Sequence, residues 1–396
     1  MSLHNKMKNI YILLSLFLSF VSFGQVNAGY ALIDNKMANI SISSTSSTEA
    51  IANYINTNFK TDTDKIRAVF YWTASNISYD VANRFKVNFN ETPQEQIAKT
   101  LKTKKGVWIH YATIFNDISN KIGIQSYIIE GYTKQYEKVS NLAHAWCAAK
   151  IDNKWYLFDP TWGSGYVNNG KFFKKLNEYY FKTEPAKLIS SHIPFDYLWQ
   201  FLNYPITNSE FYEGVTQVNK SKKYFNFESE IVKYNTLSEI DKLVESVARI
   251  EKNGVENDMI LKCLEDKKKE LANFQHNIYV EKLNSIVNNY NEAVDLLNEF
   301  IYYRNNKFKP TLSDDKISSM IQAPIEKLTK CQDAIHAVGS VGTENSSNLS
   351  SLKKSIKDVL AQAKEHELFV QEYLSKSKIV RKTMFTKVSW FGVPLN

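Results

Sequence analysis

The chain has 396 residues, 43% of them hydrophobic and 13% aromatic, with 49 Lys and Arg against 41 Asp and Glu for a formal charge of +8. At roughly 150 residues per domain this means two or three domains with enough apolar material for packed cores, which excludes general disorder, a collagen-like fibre and a disulfide-stapled miniprotein. Basic and acidic residues are interleaved along the chain, so the charge reads as solubility with weak attraction to acidic surfaces, and nucleic acid is not an expected partner.

Lys6 and Lys8 precede an apolar stretch from Ile10 to Phe23, with small residues at Ser22 and Gly24 just before Gln25. A basic start, a short apolar middle and a small-residue end mark a secretory signal, and the stretch is short for a spanning helix of about 20 residues. Residues 1–24 are therefore predicted to be a signal peptide, and the mature chain to be secreted or periplasmic. An uncleaved anchor is the alternative, with no cysteine here for lipid attachment. In an oxidising space the three cysteines, Cys147, Cys263 and Cys331, allow one disulfide at most. Cys263 and Cys331 could bridge two helices of the C-terminal part, although buried thiols are the commoner outcome.

Apolar residues recur at helical spacing over Ser47–Phe59 and Asp62–Asn76, with Ser and Asp available as N-caps, and predict two packed helices. Pro93 opens a short helix ending near Gly106, and another runs from about Trp108 to Ile122, closed by Gly123. Ile124–Tyr132, Ala143–Ile151 and Lys154–Phe158 are rich in β formers, with Asp152 and Asn153 as a hairpin turn between the last two. Helices first and an antiparallel sheet after is the α+β pattern, and it sets a first domain at residues 30–205.

Beyond Tyr204 and Pro205, Gly and Trp become scarce while Lys, Glu, Asn and Leu dominate. Residues 206–235 read as a linker, 236–380 as an all-α bundle of about four helices, and 381–396 as a tail. The spacing of Leu283, Ile286, Tyr290, Val294, Leu297 and Ile301 alternates between three and four, as in the seam of helices packed side by side or of a coiled-coil arm. Such a seam is first of all a bundle core; a face presented to a partner, as in an adaptor, is the second reading.

The stretch that carries chemistry is 104–163. It runs Lys-Lys-Gly-Val-Trp-Ile-His-Tyr-Ala from Lys104, then His144-Ala145-Trp146, then Asp159-Pro160-Thr161-Trp162-Gly163. This closely resembles the transglutaminase-like core of the papain-type superfamily. In that family Gly-Val-Cys-x-Gly-Tyr-Ala puts a nucleophilic Cys at a helix start, His-Ala-Trp supplies the base, and Asp-x-Thr-Trp-Gly supplies the orienting carboxylate. Flanking segments, Lys65–Trp72 with Asn76–Asp80 and Tyr180–Pro185 with His192-Ile193-Pro194, are similar to the branch that includes the kyphoscoliosis peptidase and cytokinesis proteins. The resemblance covers roughly residues 60–202 and implies a papain-like α+β fold there.

A thiol at a helix N-terminus is made acidic by the helix dipole and a neighbouring imidazolium, the carboxylate orients the imidazole, and a backbone N–H holds the oxyanion. By the resemblance, His144 and Asp159 stand at the base and orienter positions, and Trp108 stands where the Cys belongs. An indole does not attack a carbonyl carbon, and the family's second Gly has also become His110. The expectation is a pseudoenzyme that binds protein or peptide in a cleft formed by His110, Tyr111, Trp146 and Trp162, with no cofactor and no metal. The alternative is a thiol-dependent transglutaminase or cysteine peptidase using Cys147, although strand alternation turns Cys147 to the face opposite His144. A metal set of His110, His144 and Asp159 is a third, weaker reading. His192 is expected to be structural, within a His-x-Pro turn.

Overall fold

The computed structural model describes residues 29–86, 88, 90–338 and 343–385. The predicted signal segment and most of the tail 381–396 lie outside them. The chain forms two compact units, Met1–Lys268 and Lys269–Asn396.

The first unit begins with helices α1 (Ala31–Ala38), α2 (Thr48–Asn58) and α3 (Asp62–Asn76), followed by the short strand β1 (Ser78–Tyr79). Ser47 and Thr61 cap α2 and α3 by accepting the N–H groups of Ala50 and Asp64. Helix α4 (Pro93–Thr103) starts from a capping box in which Thr92 and Glu95 exchange hydrogen bonds, with Pro93 in the first turn. Strand β2 (Lys105–Gly106), which pairs in parallel with β1, leads into α5 (Trp108–Lys121).

The sheet follows: β3 (Ser126–Gln135), β4 (Lys138–Ile151) and β5 (Lys154–Phe158), then helix α6 (Pro160–Ser164) and the hairpin of β6 (Gly165–Asn168) and β7 (Lys171–Lys174). After the single-turn helix α7 (Pro185–Leu188), β8 (His192–Pro194) joins the far edge, for the order β5-β4-β3-β8, antiparallel throughout. Asp152 and Asn153 both adopt positive φ, the turn that matches strand twist and that Asp and Asn tolerate. The expected α+β order is present; β4 starts five residues before Ala143, and the β6–β7 hairpin had no pattern in the sequence to announce it.

Alternation along β4 divides the core. Ala145, Cys147, Ala149 and Ile151 pack with Ile51, Ile66, Phe70 and Phe115 of the helices. Trp146 and Ala148 face the other way, against Ile129, Trp155, Leu157 and Leu198. Gly131 is required where β8 and Trp146 close over β3, because a Cβ there would sit 2.1 Å from the Ile193 carbonyl oxygen and 2.7 Å from the Trp146 ring.

Residues 206–235, expected as a linker, are built into this unit. They hold helices α8 (Asn208–Glu213) and α9 (Phe227–Tyr234), whose Phe211 and Ile231 are buried. The next helix, α10 (Glu239–Asn253), expected in the bundle, also belongs here: its buried Arg249 makes a two-pronged ion pair with Asp196 at 2.7 and 2.8 Å. The units divide at Lys268, inside the long helix α11 (Asp258–Asn305), because the apolar side chains of 206–268 complete the first unit's core.

The second unit contains the rest of α11, α12 (Asp314–His336), α13 (Thr343–Ser375) and α14 (Lys378–Thr383). Of the expected seam, Leu297 packs with Ile321, Leu328, Leu360 and Val370 and Ile286 with Ile335 and Ile356, an ordinary bundle core that Ala293 and Phe300, outside the expected seam, complete. All three cysteines are free thiols. No helix of the described residues is long and apolar enough to cross a membrane.

One cation ties the N-terminal helices to the segment before α7. Arg67, 1% exposed, donates to both oxygens of Asp34 at 2.6 and 2.7 Å and to Glu178, while its guanidinium lies over the rings of Tyr30 and Phe181. Burial opposes its charge, and the two carboxylates outweigh that and raise its pKa. Replacing Arg67 with Met leaves both carboxylates without their partner and is expected to cost about 3 to 5 kcal/mol in urea unfolding, with Arg67→Lys losing much of the same because it lacks the fork.

Candidate functional site

The site is organised by Asp159, which is 0% exposed. It follows β5 and is the N-cap of α6. Its Oδ1 accepts the backbone N–H groups of Thr161 and Trp162 at 2.8 and 3.0 Å. Its Oδ2 lies 2.8 Å from His144 Nε2 on β4 and 3.1 Å from His192 Nε2 on β8. Burial by itself raises the Asp159 carboxyl, but the two imidazoles together outweigh it and hold the group well below the usual carboxylate range. Burial lowers the pKa of His192, whose Nδ1 lies 2.8 Å from the Ser191 hydroxyl. With Nε2 protons on the carboxylate, Nδ1 of a neutral His144 is left unprotonated, the nitrogen a general base needs.

The structure brings Trp108, His144, Asp159 and Trp162 together. Trp108 is the first residue of α5, and its ring centroid is 6.5 Å from that of His144, with Trp162 at 5.6 Å. Trp146 stacks beside His144, its centroid 6.2 Å away, but it is buried in the core beneath the site. His192, expected only to shape a turn, is a full member of the cluster; the signal was its place opposite Thr133 in the sheet, which only the strand pairing reveals.

Three of the expected cleft residues do other work. His110 faces away and caps its own helix: its Nδ1 accepts the N–H of the N-cap residue Val107, 3.2 Å distant. Gly106 makes room for it, since a Cβ there would lie 2.6 Å from the His110 Cβ. Tyr111 is fully buried and donates to the Ile77 carbonyl at 2.9 Å. Trp146 is walled in as described. Cys147 is also buried, its Sγ directed at the Ala112 carbonyl 3.4 Å away on α5, and burial pushes the thiol well above its ordinary range. Both features oppose a nucleophile there.

An open groove of about 1090 Å3 passes over this cluster. Trp108, His144, Thr161 and Trp162 line its base, Lys138–His144 one side, and Tyr166, Val167 and Phe172 of the β6–β7 hairpin another, with Arg84, Tyr79 and Tyr136 also at its walls. Arg84, Lys138 and the hairpin aromatics belong to no motif, so sequence reasoning had no signal for them. A second groove, about 460 Å3, lies beside α10, and its Lys222, Lys233 and Arg249 are paired with Glu210, Glu245 and Asp196.

The ligand atoms of His144, Asp159 and His192 lie within 4.8 Å of one another, the described cluster whose chemistry suits a metal; His110, placed in such a set by sequence, stands apart. As arranged, the three are joined by hydrogen bonds from two imidazoles to one carboxylate oxygen, which satisfies all of them. The linkage to stability has one sign for both depressed groups. Asp159 stabilises the fold above the ordinary carboxylate pKa and loses this as pH falls through its lowered value; His192, favoured neutral, begins to destabilise as pH drops below its ordinary 6.5. The urea midpoint should therefore fall steadily from pH 7 to pH 4, and His192→Asn should flatten the upper part of that fall. Asp159→Asn should cost about 2 to 4 kcal/mol at pH 7, since four donors lose an ionised acceptor.

Residues 49–160 match the family described as Transglutaminase-like superfamily. The chain is 32% identical over 159 residues to human kyphoscoliosis peptidase, covering 38% of this chain and 24% of that protein. It is 26% identical over 172 residues to Hillarin of Drosophila melanogaster, covering 38% of this chain and 20% of Hillarin. The chain thus spans about a quarter or less of the length of these relatives. Among solved structures, the periplasmic domain of TgpA from Pseudomonas aeruginosa aligns at 18% identity over 33% of this chain and 47% of that one, with a TM-score of 0.25. Residues 49–160 of this chain are therefore a domain of the transglutaminase-like superfamily, in the branch that includes kyphoscoliosis peptidase.

Proposed function

We propose that this protein is an exported transglutaminase-like pseudoenzyme, which uses the groove over Trp108, His144 and Trp162 to bind a protein or peptide segment without cleaving or joining it. The observation that carries this reading is the side chain at the helix start. Trp108 occupies the first position of α5 against His144, and its indole cannot form the acyl intermediate on which the family's chemistry rests. None of the three thiols substitutes for it: Cys147 is buried toward α5, Cys263 lies on α11 with its pKa pushed up to about 12 by burial, and Cys331 is buried in the helical bundle. Export is supported by the character of residues 1–24. Aromatic walls and an open groove suit binding, which needs no nucleophile.

Purified protein is expected to show no transamidation of casein with a labelled amine and no amide hydrolysis. Turnover that is lost in Cys147→Ala would establish the thiol enzyme instead, and turnover that survives removal of all three cysteines would establish acid–base or metal chemistry. Trp108→Cys tests whether the rest of the machinery persists. A thiol at that helix start beside the His144–Asp159 pair should react with iodoacetamide at pH 6 at least about tenfold faster than an ordinary thiol. Labelling at the ordinary rate would show that His144 is not poised as a base.

A further inference from the structure

We infer that the occupant of the groove is an extended peptide carrying acidic side chains, which adds itself as a new strand to the free edge of β4. This rests on the binding-groove reading above and specifies its ligand.

Among the described residues the free edge follows from unequal strand lengths. Strand β5 pairs only with Cys147–Ile151, while β4 begins at Lys138. The N–H and C=O of Leu157 are both bonded to Thr183, so they point away from β4, and Cys147, opposite Phe158, directs its backbone groups at β5. By alternation the backbone groups of Ala145 and Ala143 point to the same side, where β5 has already ended: the chain leaves the sheet at Asp159 and enters α6. The other edge agrees. Glu130, opposite Ala145, gives its carbonyl to Phe195 and not to β4. Ala145 is buried, and Ala143 is half-buried at the groove. Ser140 Oγ takes the N–H of Leu142 at 3.0 Å, and Ala143, the next residue, is a groove-lining rung open to a partner strand.

The groove runs along this edge and not across it, for the seven consecutive residues Lys138–His144 all line it. An unpaired edge is a standing invitation to another strand, which natural proteins blunt or cover; here Tyr166, Val167 and Phe172 of the β6–β7 hairpin line the same groove as the edge. The charge is one-sided. Arg84 and Lys138 line the groove, and no Asp or Glu does so among the described residues. The Thr161 hydroxyl on the groove base is buried and lacks a hydrogen-bond partner among the described residues. At the rim, fully exposed Tyr136 and its neighbour Glu137 hold left-handed φ values of 49° and 60° in the β3–β4 turn, where Asn-Gly would be cheaper. That turn holds an aromatic ring at the groove mouth against its conformational preference.

Strand addition draws its affinity from main-chain hydrogen bonds and its selectivity from alternate side chains. Purified full-length protein is panned against a random heptapeptide bead library, and selected peptides are titrated by fluorescence anisotropy. Selected sequences should be rich in Asp and Glu. Methylating the backbone nitrogen that meets Ala143 should weaken binding about tenfold, the worth of a backbone hydrogen bond, while methylation one residue along should change little. Arg84→Glu with Lys138→Glu should turn the preference toward Lys and Arg. Binding indifferent to every N-methyl position overturns strand addition but leaves the peptide groove standing, and selection without acidic residues overturns the charge assignment. If no peptide is selected while chitotetraose binds, both this inference and the peptide-binding reading fall, and the groove is a glycan site.

Discussion

A carboxylate taken out of water has to find its hydrogen-bond donors within the chain, and Asp159 finds four. Two are backbone N–H groups of the helix it caps, and two are imidazoles from strands on either side of β3. This one group therefore joins β4, β8 and α6. It fixes where the chain turns after β5, sets the Trp162 ring beside His144, and places His144 at the base of the groove. Whatever the protein does in that groove depends on these four contacts staying intact.

The same physics gives the His144 and Asp159 pair a structural reason to be present. The pair resembles two members of a catalytic triad, yet each member also meets a structural demand, since removing either strands a buried polar partner. The pair's presence is thus no measure of activity. The contacts at the helix start beside it are consistent with one another: His110 satisfies the Val107 N–H, Gly106 yields the space that His110 needs, and the Trp108 ring packs toward His144.

The region after residue 205 shows how composition misleads about boundaries. Residues 206–268 share the Lys- and Glu-rich, Gly-poor character of the bundle, yet Phe211, Ile231, Ile250, Ile260 and Leu264 complete the first unit's cores, and Arg249 is fixed by Asp196. Periodicity found the helices from residue 237 on and missed α8 and α9. It could not say against which surface their apolar faces close, because an amphipathic stripe looks the same whether it packs on a sheet or on another helix.

Local signals settled most of the fold. The spacing of Ile66, Val69 and Phe70, the Pro93 start, and the Asp152 and Asn153 turn each act within a few residues, so α3, α4 and the β4–β5 hairpin could be read directly. Alternation along β4 likewise separated His144 from Cys147, and the motif order placed Trp108, His144 and Asp159. What depends on residues far apart in sequence was decided only by the tertiary structure. His192 joins Asp159 through strand pairing, Tyr111 turns inward to the Ile77 carbonyl, and Arg84, Lys138 and Phe172 meet around one groove. A sequence states which residues can satisfy a buried charge or line an opening; which of them do so follows from the packing of strands and helices, where each polar group must find its partner in the space that remains.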